Sequence, residues 1–98
     1  MKITLEYDCL NGEFREGDEI TIDPTLGLAG DDHVLIMYDD GRIDIGRIII
    51  SPQSEVPLLE TGDGKVHLST DVDIAGKVIK LARGYWSPLF LHLFNVSA

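Results

Sequence analysis

Few side chains in this sequence could do chemistry, and their neighbours decide what kind. Cys9 is the only cysteine. A thiol needs little help to act as a nucleophile, because roughly a few per cent of it is ionised at neutral pH. Asp8, Glu13 and Glu16 surround it in the chain, and negative neighbours raise a thiol pKa and suppress the thiolate. The expectation is a small, partly buried residue and not a reactive one. His33, His67 and His92 fall in separate segments. A metal site would need them to converge with a carboxylate, and no metal or other cofactor is expected. Asp31, Asp32, Asp39, Asp40 and Asp44 cluster at two strand ends that could face each other. Their spacing is not that of a calcium loop, so solvated turn residues are expected.

The tail carries a different signal. Tyr85, Trp86, Phe90 and Phe94 are four of the seven aromatic residues in the chain, and Leu89, Leu91 and Leu93 lie among them. Either this stretch packs on its own domain or it is an apolar patch for a partner. The interface is the expectation, carried by Arg83, Tyr85, Trp86, Leu89, Phe90, Leu93 and Phe94.

These residues must be positioned by one small domain. A chain of 98 residues is near the commonest domain size, and residues 1–98 are read as a single unit. A hydrophobic fraction of 44% fits a globular chain. A lone cysteine excludes an internal disulfide and fits a reducing compartment. Glu6 and Asp8 interrupt the place where a signal sequence would be apolar, and no run reaches the length that spans a bilayer. A cytoplasmic location, without membrane contact, is expected. Net charge is −9, and all 17 acids lie between Glu6 and Asp73, whereas residues 1–73 hold only five of the eight bases. Such a surface repels phosphate backbones, so direct nucleic-acid binding is not expected.

The positioning elements read as strands. Lys2–Tyr7 alternates with Ile3, Leu5 and Tyr7 on one face. Asn11-Gly12 suits a turn with positive φ. Glu19–Asp23 is a strand ended by Pro24. His33–Tyr38 is almost wholly apolar, as a strand covered on both faces would be. Asp39-Asp40-Gly41 is a hairpin turn leading into Arg42–Ile50. Val56–Glu60 and Lys65–Ser69 flank a second hairpin turn at Thr61–Gly64. Val72–Ala82 reads as a strand kinked at Gly76, or else a short helix, with β-branched residues favouring the strand. Ser87-Pro88 could start a helix. Six or seven short strands with at most one short helix imply an all-β fold, a small partly open barrel or sandwich.

In order, the chain offers Gly17-Asp18, Ile22-Asp23-Pro24 and Gly30-Asp31, followed by an apolar strand. The Asp40-Gly41 turn, Ile45-Gly46-Arg47-Ile48 and Ile74-Ala75-Gly76-Lys77-Val78-Ile79 come next. This arrangement, from about Tyr7 to Trp86, resembles the C-terminal domain of LexA and the phage CI-type repressors, the LexA-like serine peptidase family. The resemblance implies a peptidase scaffold with a nucleophilic serine and a lysine base. By the spacing of that family, the serine position falls on Cys9, with Leu10 where methionine is usual, and the lysine position falls on Gly46. Glycine has no side chain to act as a base, and Lys2, Lys65, Lys77 and Lys80 do not match that position. The Ala-Gly pairs at Ala29-Gly30 and Ala75-Gly76 lie downstream of Cys9, whereas the family's self-cleavage site lies upstream.

The resemblance therefore implies a degenerate, non-catalytic domain that dimerises or oligomerises in a phage- or prophage-type repressor. The helix-turn-helix half of such repressors is not recognisable in these residues. Two other readings stand beside it: an acidic regulator or antirepressor that binds a protein partner, and a self-processing peptidase using Cys9.

Overall fold

The computed structural model describes residues 1–25 and 27–83. The strands are β1 (Lys2–Thr4), β2 (Glu19–Asp23), β3 (His33–Met37), β4 (Ile43–Ile49), β5 (Leu58–Glu60), β6 (Val66–Leu68) and β7 (Asp73–Ala82). Short 3₁₀ turns at Leu10–Gly12 and Ser69–Asp71 complete the described elements. All seven strands join one antiparallel sheet in the order β1-β2-β7-β3-β4-β5-β6. The fold is all-β, as the alternation and turn spacing imply.

Val72–Ala82 is a strand, not a helix, and it inserts between β2 and β3. Gly76 is the reason it can lie so close to β2. A Cβ there would stand 2.5 Å from Cγ2 of Ile22 and 2.9 Å from the Asp23 carbonyl oxygen. β7 also bulges twice. Gly76 and Ile74 face consecutive residues of β3, leaving Ala75 as the extra residue. Lys80 and Val78 do the same against β2, leaving Ile79 extra. Bulges of this kind bend a long strand and increase its twist, which lets ten residues serve two neighbours.

β3 is buried on both faces, as its unbroken apolar run implies: Val34, Leu35 and Ile36 are fully buried. Successive side chains point to opposite faces, so β3 contributes to two cores. One gathers Leu5, Cys9, Leu10, Phe14, Ile20, Ile22, Leu35 and Ile45. The other gathers Val34, Ile36, Ile48 and Leu59, with Leu28, Tyr38, Val72 and Ile74 packed around them. Each buried Leu or Ile is worth about 1.5–3 kcal/mol, so the two cores together hold the sheet.

The first strand is shorter than its alternation suggests. β1 ends at Thr4, and the chain then turns over the first core. Leu5 N–H donates to Asp18 O and Gly17 N–H to Leu5 O, both at 2.8 Å. Leu5 is buried as expected, but Tyr7 is turned outward to 41% exposure. The turn at Asn11-Gly12 forms with positive φ at both residues, 55° and 88°. The Asp31/Asp32 and Asp39/Asp40 pairs do not face each other. They sit at opposite ends of β3, five residues long, roughly 16 Å apart along the strand.

Candidate functional site

The first core opens at one end into a cleft of about 850 Å³ whose wall includes Tyr7, Cys9, Tyr38, Asp44, Lys65 and His67. Three stretches distant in sequence build it: the segment over the first core, the β3–β4 hairpin and the β5–β6 hairpin. They are locked together by polar contacts. Tyr7 Oη donates to the Ile43 carbonyl and accepts the Ile43 N–H at 3.1 Å. Arg42 lies over the Tyr38 ring, 5.2 Å from its centre, and donates to Asp40 at 2.7 Å. Gly62 presses on the backbone of Leu10 and Asn11, where a Cβ would come within 3.1 Å. Thr61 donates to Asp63 at 2.5 Å, which holds the tip of the second hairpin in place.

Cys9 lines this cleft but is 3% exposed. Its backbone forms a bridge with Phe14, donating to Phe14 O at 2.7 Å, and its thiol lies 3.8 Å from the Tyr7 carbonyl oxygen. Burial pushes the thiol pKa up to about 11, with Asp44 the next cause, both as a charge and as a hydrogen-bond partner. The Ile45 amide pulls weakly the other way, and Asp8 adds a small further rise. At neutral pH a thiol this basic is ionised to only about one part in ten thousand. Asp8 acts in the direction expected from sequence. Glu13 and Glu16 are not among the leading causes, and the Glu13 carboxylate lies 3.5 Å from Nε2 of His33. The dominant partner, Asp44, comes from β4, and nothing near Cys9 in the chain announces it.

Tyr38 is another perturbed group of the cleft. Its phenol is raised by burial first and then by Asp44, to which its Oη lies at 3.5 Å. Asp44 Oδ1 also accepts the Ile45 N–H at 2.8 Å. One carboxylate thus faces both a thiol and a phenol, and holds each in its protonated form.

Gly46, the position that would carry the base by the resemblance, faces into the second core. A Cβ there would lie 2.5 Å from Cδ1 and 2.9 Å from Cγ of Leu59, and 3.0 Å from Cδ1 of Ile36. Leu59 and Ile36 are both fully buried. No side chain fits at residue 46 unless Leu59 moves, and the nearest atoms do not include Cys9. The cleft does bring a lysine and a histidine to the wall that holds Cys9. Both come from the β5–β6 hairpin, and sequence reading did not place them there. Lys65 is largely exposed and lies 3.9 Å from Asp63. Among the described residues, neither Lys65 nor His67 hydrogen-bonds the Cys9 thiol.

The remaining candidates are dispersed. His33 is on β3, packed edge-on against Phe14 at 5.0 Å between ring centres; His67 is on β6; His92 lies outside the described residues. Among the described residues no three His, Cys, Asp or Glu side chains come together to hold a metal ion. No helix among them is long and apolar enough to cross a membrane. Arg83, expected at an interface, makes contacts within the chain. Its guanidinium donates to the buried Asp18 carboxylate at 3.2 Å and to Glu13 O at 2.5 Å. Tyr85, Trp86, Leu89, Phe90, Leu93 and Phe94 lie outside the described residues. No family model, no curated protein and no solved structure matches this chain.

Proposed function

We propose that this chain is a non-catalytic assembly domain: a peptidase-like β scaffold that serves to dimerise or oligomerise a phage- or bacterial-type transcription repressor. One observation carries the loss of catalysis. The space where a general base would have to begin, at residue 46, is filled by Leu59 and Ile36. The thiol at the nucleophile position adds to it, because burial and Asp44 keep Cys9 protonated. A serine- or cysteine-type mechanism needs a nucleophile deprotonated by a nearby base, and this arrangement withholds both. The repressor context comes from the resemblance to the LexA-like family, and the strongly acidic surface keeps the domain itself off DNA. Symmetric pairing of two such domains would place two DNA-binding heads at half-site spacing.

Two measurements test this reading. Sedimentation equilibrium of the full chain is expected to show self-association that persists in high salt. Incubation with a thiol-directed alkylating reagent at pH 7 is expected to leave native Cys9 unmodified. Rapid labelling of Cys9 at pH 7, with self-cleavage lost on Cys9→Ala, would restore the peptidase reading. Capture of a basic protein that disappears in high salt, from a chain that stays monomeric, would support the acidic-regulator reading instead, because exposed charge contacts are screened.

A further inference from the structure

The charges on the cleft wall are unevenly answered. Both of its permanent cations are engaged at the rim: Arg42 donates to Asp40 at 2.7 Å, and Lys65 lies 3.9 Å from Asp63. Two carboxylates on the same wall, Asp8 and Asp44, have no cation within 4 Å among the described residues. Asp8 accepts the Glu16 N–H at 2.9 Å. Asp44 is half-buried, and its partners are all neutral: the Ile45 N–H at 2.8 Å, the Tyr38 phenol at 3.5 Å and the Cys9 thiol. A carboxylate offers about four acceptor positions, so Asp44 still has room for a fork of donors. Hydrogen bonds between ions are roughly twice as strong as neutral ones, which makes a cation its better partner. Asp8 and Asp44 both act on Cys9, so their fields overlap in one part of the cleft, and the net charge of −9 adds to the attraction.

We propose that this cleft binds an alkyl guanidinium, its head paired with the Asp44 carboxylate and its stem laid along Leu10 and Ile43. The site lies beyond the assembly reading and does not depend on it. An anion is the wrong ligand, because it would meet Asp8 and Asp44 and find Arg42 and Lys65 already paired. A metal ion lacks ligands, since no three His, Cys, Asp or Glu side chains come together among the described residues. A guanidinium is favoured over an ammonium because it is planar, weakly hydrated, stacks on aromatic rings and grips a carboxylate with two donors. The wall already shows that chemistry once: Arg42 lies 5.2 Å from the centre of the Tyr38 ring with its donor on Asp40. Tyr7, 41% exposed and held at its hydroxyl by the Ile43 N–H, offers a second ring. A cleft of about 850 Å³ lies within the range of about 300–1,000 Å³ for ligand sites. It has room for a free small cation or for an arginine side chain with its backbone.

The test is a nuclear magnetic resonance titration of the full chain at pH 7 and low salt, following the Ile45 amide. The probes are n-butylguanidinium and n-butylurea, which have the same shape and differ in charge. The guanidinium should shift that amide saturably, and the urea should bind at least about tenfold more weakly, as should the guanidinium to Asp44→Asn. Asn keeps the oxygen that accepts the Ile45 N–H, so this variant should retain the wild-type spectrum elsewhere. Asp31→Asn removes the same charge outside the cleft and should leave binding unchanged. A guanidinium stays charged above about pH 12, so the bound probe should also lower the Cys9 pKa from about 11, read by thiolate absorbance. Nα-acetyl-arginine methylamide separates the two sources. Binding at least about tenfold tighter than n-butylguanidinium identifies an arginine of a protein, and equal binding identifies a free small cation. No saturable shift with either cation, an equal response to n-butylurea, or equal weakening by Asp44→Asn and Asp31→Asn overturns the proposal. None of these outcomes bears on self-association, which sedimentation reads separately.

Discussion

Gly46→Ala tests the idea that the second core, and not chance, excludes a side chain from residue 46. The added methyl would lie 2.5 Å from Leu59 Cδ1, well inside the ordinary carbon contact of about 3.5–4.0 Å. Leu59 is fully buried and cannot simply swing into solvent. Overpacking of this kind costs about 1–3 kcal/mol. Replacing glycine in a strand returns about 0.5–1 kcal/mol of chain entropy. The net expectation is destabilisation by roughly 1–2 kcal/mol, a loss where a strand glycine in open space would give a gain. Leu59→Ala alone should cost about 2–5 kcal/mol, as large-to-small core changes do. The double variant should be more stable than the sum of the two losses by about 1 kcal/mol or more, because the small side chain at residue 59 makes room for the methyl. Urea denaturation of the four proteins, followed by circular dichroism, reads this cycle. A neutral or stabilising Gly46→Ala, or strictly additive losses, would refute the claim that Leu59 fills the space at residue 46.

Three other outcomes follow from the same structure. Asp44→Asn should lower the Cys9 pKa from its value of about 11 without bringing it to the ordinary thiol value, because burial is the larger cause; thiolate absorbance against pH measures this, and a wild-type thiol titrating near 9 would contradict it. A folded pKa raised above the unfolded one means that the native state holds its proton longer. The Cys9 contribution to stability is therefore present below about pH 9 and lost as pH rises toward about 11, by roughly 3 kcal/mol for a shift of this size; Cys9→Ala should remove that alkaline slope in pH-dependent unfolding. Arg83→Ala leaves the Asp18 carboxylate, 4% exposed, without its cation and should cost about 1–3 kcal/mol, with Asp18→Asn in the same chain recovering part of it; equal stability of wild type and Arg83→Ala in urea would show that the pair is idle.

The strands were legible where the side-chain pattern had one explanation. Glu19–Asp23 alternates strictly and ends at a proline, and β2 has those bounds. His33–Tyr38 is almost wholly apolar, and the centre of β3, Val34–Ile36, is covered on both sides. Val72–Ala82 was ambiguous because a central glycine and apolar residues at 72, 74, 78, 79 and 81 fit either period. The neighbours on both sides decided for strand, since only an extended backbone with Gly76 at the crossing fits between β2 and β3. Tyr7 was misplaced because alternation alone does not reveal that the chain leaves β1 after Thr4 to cover the first core.

Composition and local pattern by themselves determined the all-β class, the turns at Asn11-Gly12 and Asp40-Gly41 and the acidity of the surface. These are properties of neighbours in the chain, which act through backbone preference and short-range charge. The tertiary structure alone decided the strand order, with β7 between β2 and β3, and the partners of the candidate site. Asp44 reaches Cys9 from β4, Leu59 fills the space beside Gly46 from β5, and Arg83 reaches Asp18 from the end of β7. Each contact joins segments far apart in the chain, and burial, close packing and charge pairing depend on distance in space, which a one-dimensional pattern does not carry.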